Sequence, residues 1–308
     1  MMDDIKPLVS VVMLVFNAEP YLDEAIESVL QQTFPDFELI IINDGSADGS
    51  LAMLQRWAKK DKRIRLYNQG NKGRSFSRNR GVELAQSEYI AMLDSDDIAL
   101  PTRLEVHYKF MKKNPEVVIV GSQIEAICMK GVSLYFSGTP LYIHDEIESS
   151  LLNDHGVQLC QGASMMRKSA VLQVGGYNEN YTVGEDTDLF LRMALIGNLA
   201  NVPNVLLKYR QHFESSTNAS NSSVYRESSL LRLEKAWLDR DLTFPRDFKH
   251  WSEGMRTKTA KDDLLQWGWN ALLKGEREIA MFYAKKLLFL RDLDLNVMRF
   301  FWCVIRGR

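Results

Sequence analysis

The run Val9-Ser10-Val11-Val12-Met13-Leu14-Val15 is almost wholly apolar and β-branched, the pattern of a strand buried on both faces. It breaks at Asn17-Ala18-Glu19-Pro20, after which Leu22, Ala25, Ile26, Val29 and Leu30 recur at helical spacing. Phe34-Pro35-Asp36 ends that helix, and Phe37-Glu38-Leu39-Ile40-Ile41-Ile42 predicts a second buried strand, halted by Asn43-Asp44-Gly45-Ser46. Further on, the pattern predicts a helix over 50–60, a short strand over 64–67, a helix over 77–85 and a strand over 89–93. That strand ends in Asp94-Ser95-Asp96-Asp97. Alternating strands and helices predict an α/β fold with a mostly parallel central sheet. Ligands of such sheets bind beyond the carboxyl ends of the strands. The polar clusters at Asn17, Asp44 and Asp94–Asp97 fall at those ends.

The middle is less regular, with a strand over 117–121, short strands and loops over 126–160, helices over 169–174 and 188–195, and a strand over 204–209. A polar stretch over 215–223 reads as a linker. Beyond it the pattern is helical and holds five of the six tryptophans. The expected organisation is a catalytic domain over 1–220 and a helical extension over 221–308, serving packing, oligomerisation or membrane association.

Composition narrows the function. The 308 residues are 45% apolar, enough for a sizeable core, and carry a net charge of −2, which argues against a uniformly basic nucleic-acid binder. Cys128, Cys160 and Cys303 lie far apart without zinc-ligand spacing, which predicts reduced thiols in a cytoplasmic protein. No stretch is long and apolar enough to predict a membrane span, and Met1-Met2-Asp3-Asp4 does not open a signal peptide.

Each polar cluster has a plain structural reading beside a chemical one. Asp94-Ser95-Asp96-Asp97 is either a solvated acidic turn capping the helix from Pro101 or a holder of Mg²⁺ or Mn²⁺ beside a diphosphate. Asp44 lies in a loop that Asp48 or Ser50 could cap, yet its carboxylate could also accept hydrogen bonds from a base or ribose. Lys72, Arg74, Arg78 and Arg80 form either a solvated basic face or a phosphate-binding helix start. Glu185-Asp186 either favours a helix dipole or supplies a general base for a hydroxyl nucleophile. His212, after Tyr209-Arg210-Gln211, is by itself more often structural than a ligand.

Taken in order, the motifs say more than any one of them. Val-x-x-x-Asn-x-x-x-x-Leu, Asn-Asp-Gly-Ser-x-Asp, Ser-Arg-Asn-x-Gly, Asp-Ser-Asp-Asp, Gly162-Ala163-Ser164 with Gly175-Gly176-Tyr177, Glu185-Asp186 and Tyr-Arg-x-His follow one another. This series resembles the inverting family 2 glycosyltransferases with the GT-A, or nucleotide-diphospho-sugar transferase, fold, over roughly residues 8–217. The resemblance implies that Phe16, Asn17 and Glu19 line the nucleotide pocket and that Asp44 contacts the uracil of a UDP-sugar. Arg78 would lie near the base or diphosphate, Asp94 near the ribose with Ser95 beside it, and Asp96 and His212 on Mn²⁺ or Mg²⁺. Asp186 would be the catalytic base, with Glu185 and Gly162 nearer the acceptor. The implied activity is transfer from a UDP-sugar to a hydroxyl of a growing, lipid-linked or free glycan in cell-surface, lipopolysaccharide or exopolysaccharide synthesis.

Position 43, often Asp in that family, is Asn here, and the Gln-x-x-Arg-Trp signature of processive synthases does not follow the base, which favours single transfers. Two rivals stand. A haloacid-type phosphatase would use Asp94-x-Asp96, but has Thr or Val where this chain has Ile98 and leaves Asp44 and Asp186 without a role. An inactive sugar-nucleotide-binding module would be expected to lose Asp96 or Asp186. In the tail, residues 285–308 carry six Lys/Arg and two Asp among Phe289, Phe300, Phe301 and Trp302. Such a helix suits a peripheral contact with the inner face of an anionic membrane, although packing on the protein or on a second copy in a homo-oligomer is the plainer reading.

Overall fold

The computed structural model describes residues 6–136, 141–153, 159–181, 183–212, 222–245, 260–290 and 294–306. Most of the linker expected over 215–223 therefore lies outside the described residues, as do 1–5 and parts of 126–160 and of the basic tail. Compactness divides the chain into two units, one of 1–124, 137–209 and 224–245, the other of 125–136, 210–223 and 246–308.

The first unit opens with β1 (Val9–Val15), α1 (Leu22–Leu30), β2 (Phe37–Asp44), α2 (Ser50–Lys60), β3 (Ile64–Gln69), α3 (Arg74–Leu84) and β4 (Tyr89–Asp94). All of β2, and all of β1 but Leu14, is buried, as an apolar run without alternation requires. β1 pairs in parallel with β2 and β4, and β3 lies parallel to β2. Register fixes the functional edge. Val15 sits opposite Asn43, Leu14 opposite Asp94, and Asp44 opposite Gln69, so 16–17, 44 and 94–96 leave the sheet together.

Next come β5 (Ile98–Ala99), α4 (Arg103–Lys113), β6 (Val117–Cys128), β7 (Ser133–Phe136), α5 (His144–Leu152), a 3₁₀ turn (Gln161–Ala163), β8 (Met165–Arg167), α6 (Lys168–Gln173), α7 (Glu185–Ala194) and β9 (Asn198–Gln211). The strand order is β3-β2-β1-β4-β8-β6-β9-β5. Beyond the parallel half, β8 runs antiparallel to both β4 and β6, and β5 antiparallel to β9. One apolar core, including Val11, Met13, Leu22, Ile26, Leu39, Ile41, Leu93 and Met165, holds sheet and helices together.

The helix α3 begins three residues before the position its apolar pattern predicts. Its buried residues are Ser75, Ser77, Arg78, Gly81 and Val82, a mostly polar face that hydrophobic periodicity does not register. The division between units also differs from a single cut at 220. Helix α8 (Ser222–Leu238) contributes to the first unit, where Trp237 donates to the Leu152 carbonyl at 3.0 Å and Arg240 to Glu148 at 2.7 Å.

The second unit joins the end of β6 and β7, paired as an antiparallel hairpin, to α9 (Ala260–Leu273), α10 (Arg277–Phe289) and α11 (Leu295–Arg306). Its separate core contains Ala126, Leu134, Trp267, Tyr283, Leu287, Val297, Phe300 and Val304. The buried Arg210 donates to the carbonyls of Cys128 and Met129, at 3.3 and 3.0 Å, and so ties the end of β9 to the hairpin. No helix among the described residues is long and apolar enough to cross a membrane.

Candidate active site

The ends of β1 and β2 are laced together by side chains that the sequence marks as polar loop residues. Asn17 takes a left-handed backbone, φ +51°, which Asn tolerates better than most residues. Its N–H donates to Ser46 Oγ and its Oδ1 accepts from the Ala47 N–H at 2.8 Å. The Glu19 N–H donates to Asp48 Oδ2, and Glu19 Oε2 accepts from the Gly49 N–H at 2.8 Å. Asn17 and Glu19 thus shape the rim through the 46–50 loop. Phe16 stands out of this rim, 49% exposed.

Asp44, buried at the end of β2, organises the neighbouring loop. Its Oδ1 accepts from the Lys72 N–H and from Gln69 Nε2, both at 2.8 Å, and its Oδ2 from the Gly73 N–H at 3.0 Å. A carboxylate offers about four lone-pair positions. These three bonds therefore leave Oδ2 able to accept one further donor. Gly45 is required beside it, because a Cβ there would lie 2.7 Å from the Asn71 nitrogen and φ is +76°.

Each residue of Ser77-Arg78-Asn79-Arg80-Gly81 is held by a contact of its own. Ser77 Oγ accepts from Gln69 Nε2 at 2.7 Å. Asn79 holds Tyr177 by its backbone, accepting its N–H at 2.7 Å and donating to its carbonyl at 2.9 Å. Arg80 donates to Gln69 Oε1. Gly81 lets α3 approach β1, since a Cβ would fall 2.4 Å from Val12 Cγ1. The buried Arg78 donates to Glu185 Oε1 at 2.6 Å and to Asp94 Oδ1 at 3.3 Å, and its guanidinium carbon lies 5.7 Å from the centre of the Tyr177 ring. Burial works against its charge, but Asp94 and Glu185 outweigh that and raise its pKa.

At the end of β4, Asp94, Ser95 and Asp96 are half-buried and Asp97 is buried, its N–H donating to the Asp94 carbonyl. The acidic turn does not cap α4, because β5 intervenes and the N-cap position is Thr102. Asp94 and Asp97 converge on Gly162, where a Cβ would stand 3.2 Å from Asp94 Oδ2 and 2.9 Å from Asp97 Oδ2. Burial raises the Asp94 carboxyl above its ordinary range; Arg78 opposes the shift and the Asp96 charge adds to it. From below, the buried Arg103 donates to the Met92 and Ser164 carbonyls, and burial lowers its guanidinium to about 10.

Glu185 and Asp186 open α7 after Gly184, whose φ is +73° and whose α-carbon lies so close to Arg232 that a Cβ would clash with Nη1. Ser228 on α8 donates to the Val183 carbonyl at 2.9 Å. Turn 183–184 is thereby held from α8 while Arg78 holds Glu185 from α3. Asp186 is half-buried and accepts from the Thr187 N–H at 2.7 Å.

The first unit therefore brings together Asp94, Asp97, Gly162, Arg78 and Glu185 directly, with Ser95, Asp96 and Asp186 adjacent in the chain. Phe16, Asn17, Glu19 and Asp44 line the same strand-end edge. His212 is buried just beyond β9 and belongs to the second unit. Among the described residues no three His, Cys, Asp or Glu side chains are gathered as a ready metal site. Gln69, Arg103 and Arg232 organise the site without having stood out as chemistry, and Asn79 stood out only as a member of the Ser-Arg-Asn-x-Gly motif. Gln69 and Arg103 sit in segments that look like an ordinary strand and helix, and only buried polarity reveals them.

A family model described as "Glycosyl transferase family 2" matches residues 10–175. An uncharacterized glycosyltransferase of Haemophilus influenzae is 34% identical over 251 residues, covering 76% of each chain. One of Methanocaldococcus jannaschii is 38% identical over 214 residues, covering 67% of this chain and 71% of the relative. Among solved structures, S. aureus TarS 1–349 in complex with UDP-GlcNAc is similar with a TM-score of 0.60 at 14% identity, covering 97% of this chain and 92% of that one. The mannosyltransferase PcManGT from Pyrobaculum calidifontis, in complex with GDP-Man and Mn²⁺, gives 0.55 at 15% identity, covering 96% and 79%. Those two likenesses give the fold as GT-A. The motif order, the edge it builds and the family match agree: the protein is a glycosyltransferase that belongs to glycosyl transferase family 2.

Proposed function

We propose that the protein is a metal-dependent, inverting, non-processive transferase that moves a sugar from a UDP-sugar to a hydroxyl of a growing surface glycan. The observation carrying this reading is the convergence of Asp94, Arg78 and Glu185-Asp186 from three separate elements at one edge of the sheet. A phosphatase built on Asp94-x-Asp96 would need neither the Asp44 loop nor the braced Glu185-Asp186 turn. Structures of the same fold have been solved with UDP-GlcNAc and with GDP-Man, which supports a nucleotide-sugar donor.

In this reading Phe16 stacks on the base and the remaining lone pair of Asp44 accepts its N–H. Arg78 meets the diphosphate. The carboxylates of Asp94 and Asp96 offer hard oxygen ligands to a divalent cation. The glycine cradle that Asp94 and Asp97 face is free of any Cβ. Two carboxylates completed by substrate phosphates suit Mg²⁺ or Mn²⁺, so the residues fit the metal. Such an ion, when bound, would offset the charge that grows on the leaving diphosphate.

Asp186 takes the proton from the acceptor hydroxyl, whose oxygen attacks the anomeric carbon from the face opposite the diphosphate. The sugar–phosphate bond breaks in the same displacement, so an α-linked donor yields a β-glycoside. Gly162 leaves room for the acceptor side.

Support for a membrane contact lies in α11. Val297, Phe300 and Val304 face its own core, while Leu295, Met298, Trp302 and Ile305 are exposed. Arg299 and Arg306 border that exposed stripe, the helix carries no acidic residue, and Arg306 lies 3.9 Å over the Trp302 ring. An apolar, tryptophan-bearing and cationic outer face matches an anionic lipid surface. Calorimetric titration of UDP with and without Mn²⁺ tests the donor reading.

A further inference from the structure

Arg74 and Arg78 stand one helical turn apart on α3, and both address a single oxygen. Glu185 Oε1 lies 2.6 Å from Arg78 Nη1 and 3.5 Å from Arg74 Nε. Glu185 is only 2% exposed. The buried Arg78 still has an unspent donor, because its Nε–H meets no acceptor among the described residues. A buried N–H without an acceptor is costly, and a fork of donors fits phosphate oxygens as well as it fits a carboxylate. Arg74 is about one-third exposed, so this cationic pair is open to solvent on one side.

We infer that Glu185 is a resident anion occupying the diphosphate position, and that donor binding moves Arg74 and Arg78 from its carboxylate onto phosphate oxygens. This rests on the transferase reading above and adds two assignments. Arg74 becomes a diphosphate ligand, and Glu185 becomes a positioning residue that is released toward the acceptor, beside Asp186, only once the donor is in place. The exchange breaks and forms ion pairs alone and requires no covalent step. It also orders the reaction, donor before acceptor.

The sign of one substitution separates this from a purely structural ion pair. UDP and uridine, with Mn²⁺ present, are titrated into the full-length wild type, Glu185→Gln, Asp186→Asn and Arg74→Gln. Removing the competing anion in Glu185→Gln is expected to tighten UDP about tenfold and leave uridine unchanged. Arg74→Gln, at a partly exposed position, is expected to weaken UDP about tenfold, again sparing uridine. Weaker or equal UDP binding by Glu185→Gln overturns the inference, as does an equal gain in Asp186→Asn, which would reflect lost negative charge in general. In either case UDP binding by the wild type leaves the transferase reading standing; a wild type that binds no UDP overturns both.

Discussion

Asn79 and Tyr177, 98 residues apart, are joined by a double hydrogen bond: the side-chain amide of Asn79 accepts the Tyr177 N–H at 2.7 Å and donates to its carbonyl at 2.9 Å. Gly176, with φ +71°, permits the approach, since a Cβ there would stand 2.5 Å from Asn79 Oδ1. The clamp fixes Tyr177 beneath the Arg78 guanidinium. Asn79→Ala leaves two backbone groups without partners and should cost about 2–4 kcal/mol. Denaturant unfolding checks this; a loss well under 1 kcal/mol would mean water replaces the amide freely.

Acid should destabilise the fold through His107. Burial, aided by the Arg103 charge, pushes its pKa down to about 3 from 6.5. Between those values the unfolded chain binds a proton that the native imidazole refuses, so stability falls as pH drops, by up to about 1.4 kcal/mol per pH unit. His107→Leu should flatten the stability profile between about pH 6.5 and 4.5 relative to wild type. Parallel profiles for the two proteins would remove His107 as the source.

Asp186 should separate chemistry from binding. Asp186→Asn keeps size and hydrogen bonding but cannot take a proton, so transfer should fall by about 100-fold or more with UDP affinity largely kept. Equal loss of both would end its assignment as base.

The exposed stripe on α11 predicts vesicle binding. Replacing Met298 and Trp302 together by Asp should strongly reduce sedimentation with anionic vesicles and leave the fold intact, because both side chains point away from their core. Unchanged partitioning would return the stripe to packing or self-association.

Much of this architecture was legible in the chain because its first half alternates apolar runs with polar ends. Val9–Val15, Leu14 apart, and Phe37–Asp44 are buried throughout, and a parallel register carries Asn17, Asp44 and Asp94 to one edge. The contacts made across long separations were not legible. Nothing local to Arg78 announces Glu185, 107 residues on, and the polar buried face of α3 conceals its first turn. The hairpin of 125–136 groups with the last helices through Leu134 and Ala126, a pairing that no periodicity encodes.

The central claim is a metal-assisted nucleotide-sugar site at the end of β4, and calorimetric titration of UDP into wild type and Asp96→Ala, each with Mn²⁺ and with EDTA, tests it most directly. The account predicts binding by the wild type that requires Mn²⁺ and is lost in Asp96→Ala. Binding that is indifferent to EDTA and to the substitution, or no UDP binding at all, would contradict it.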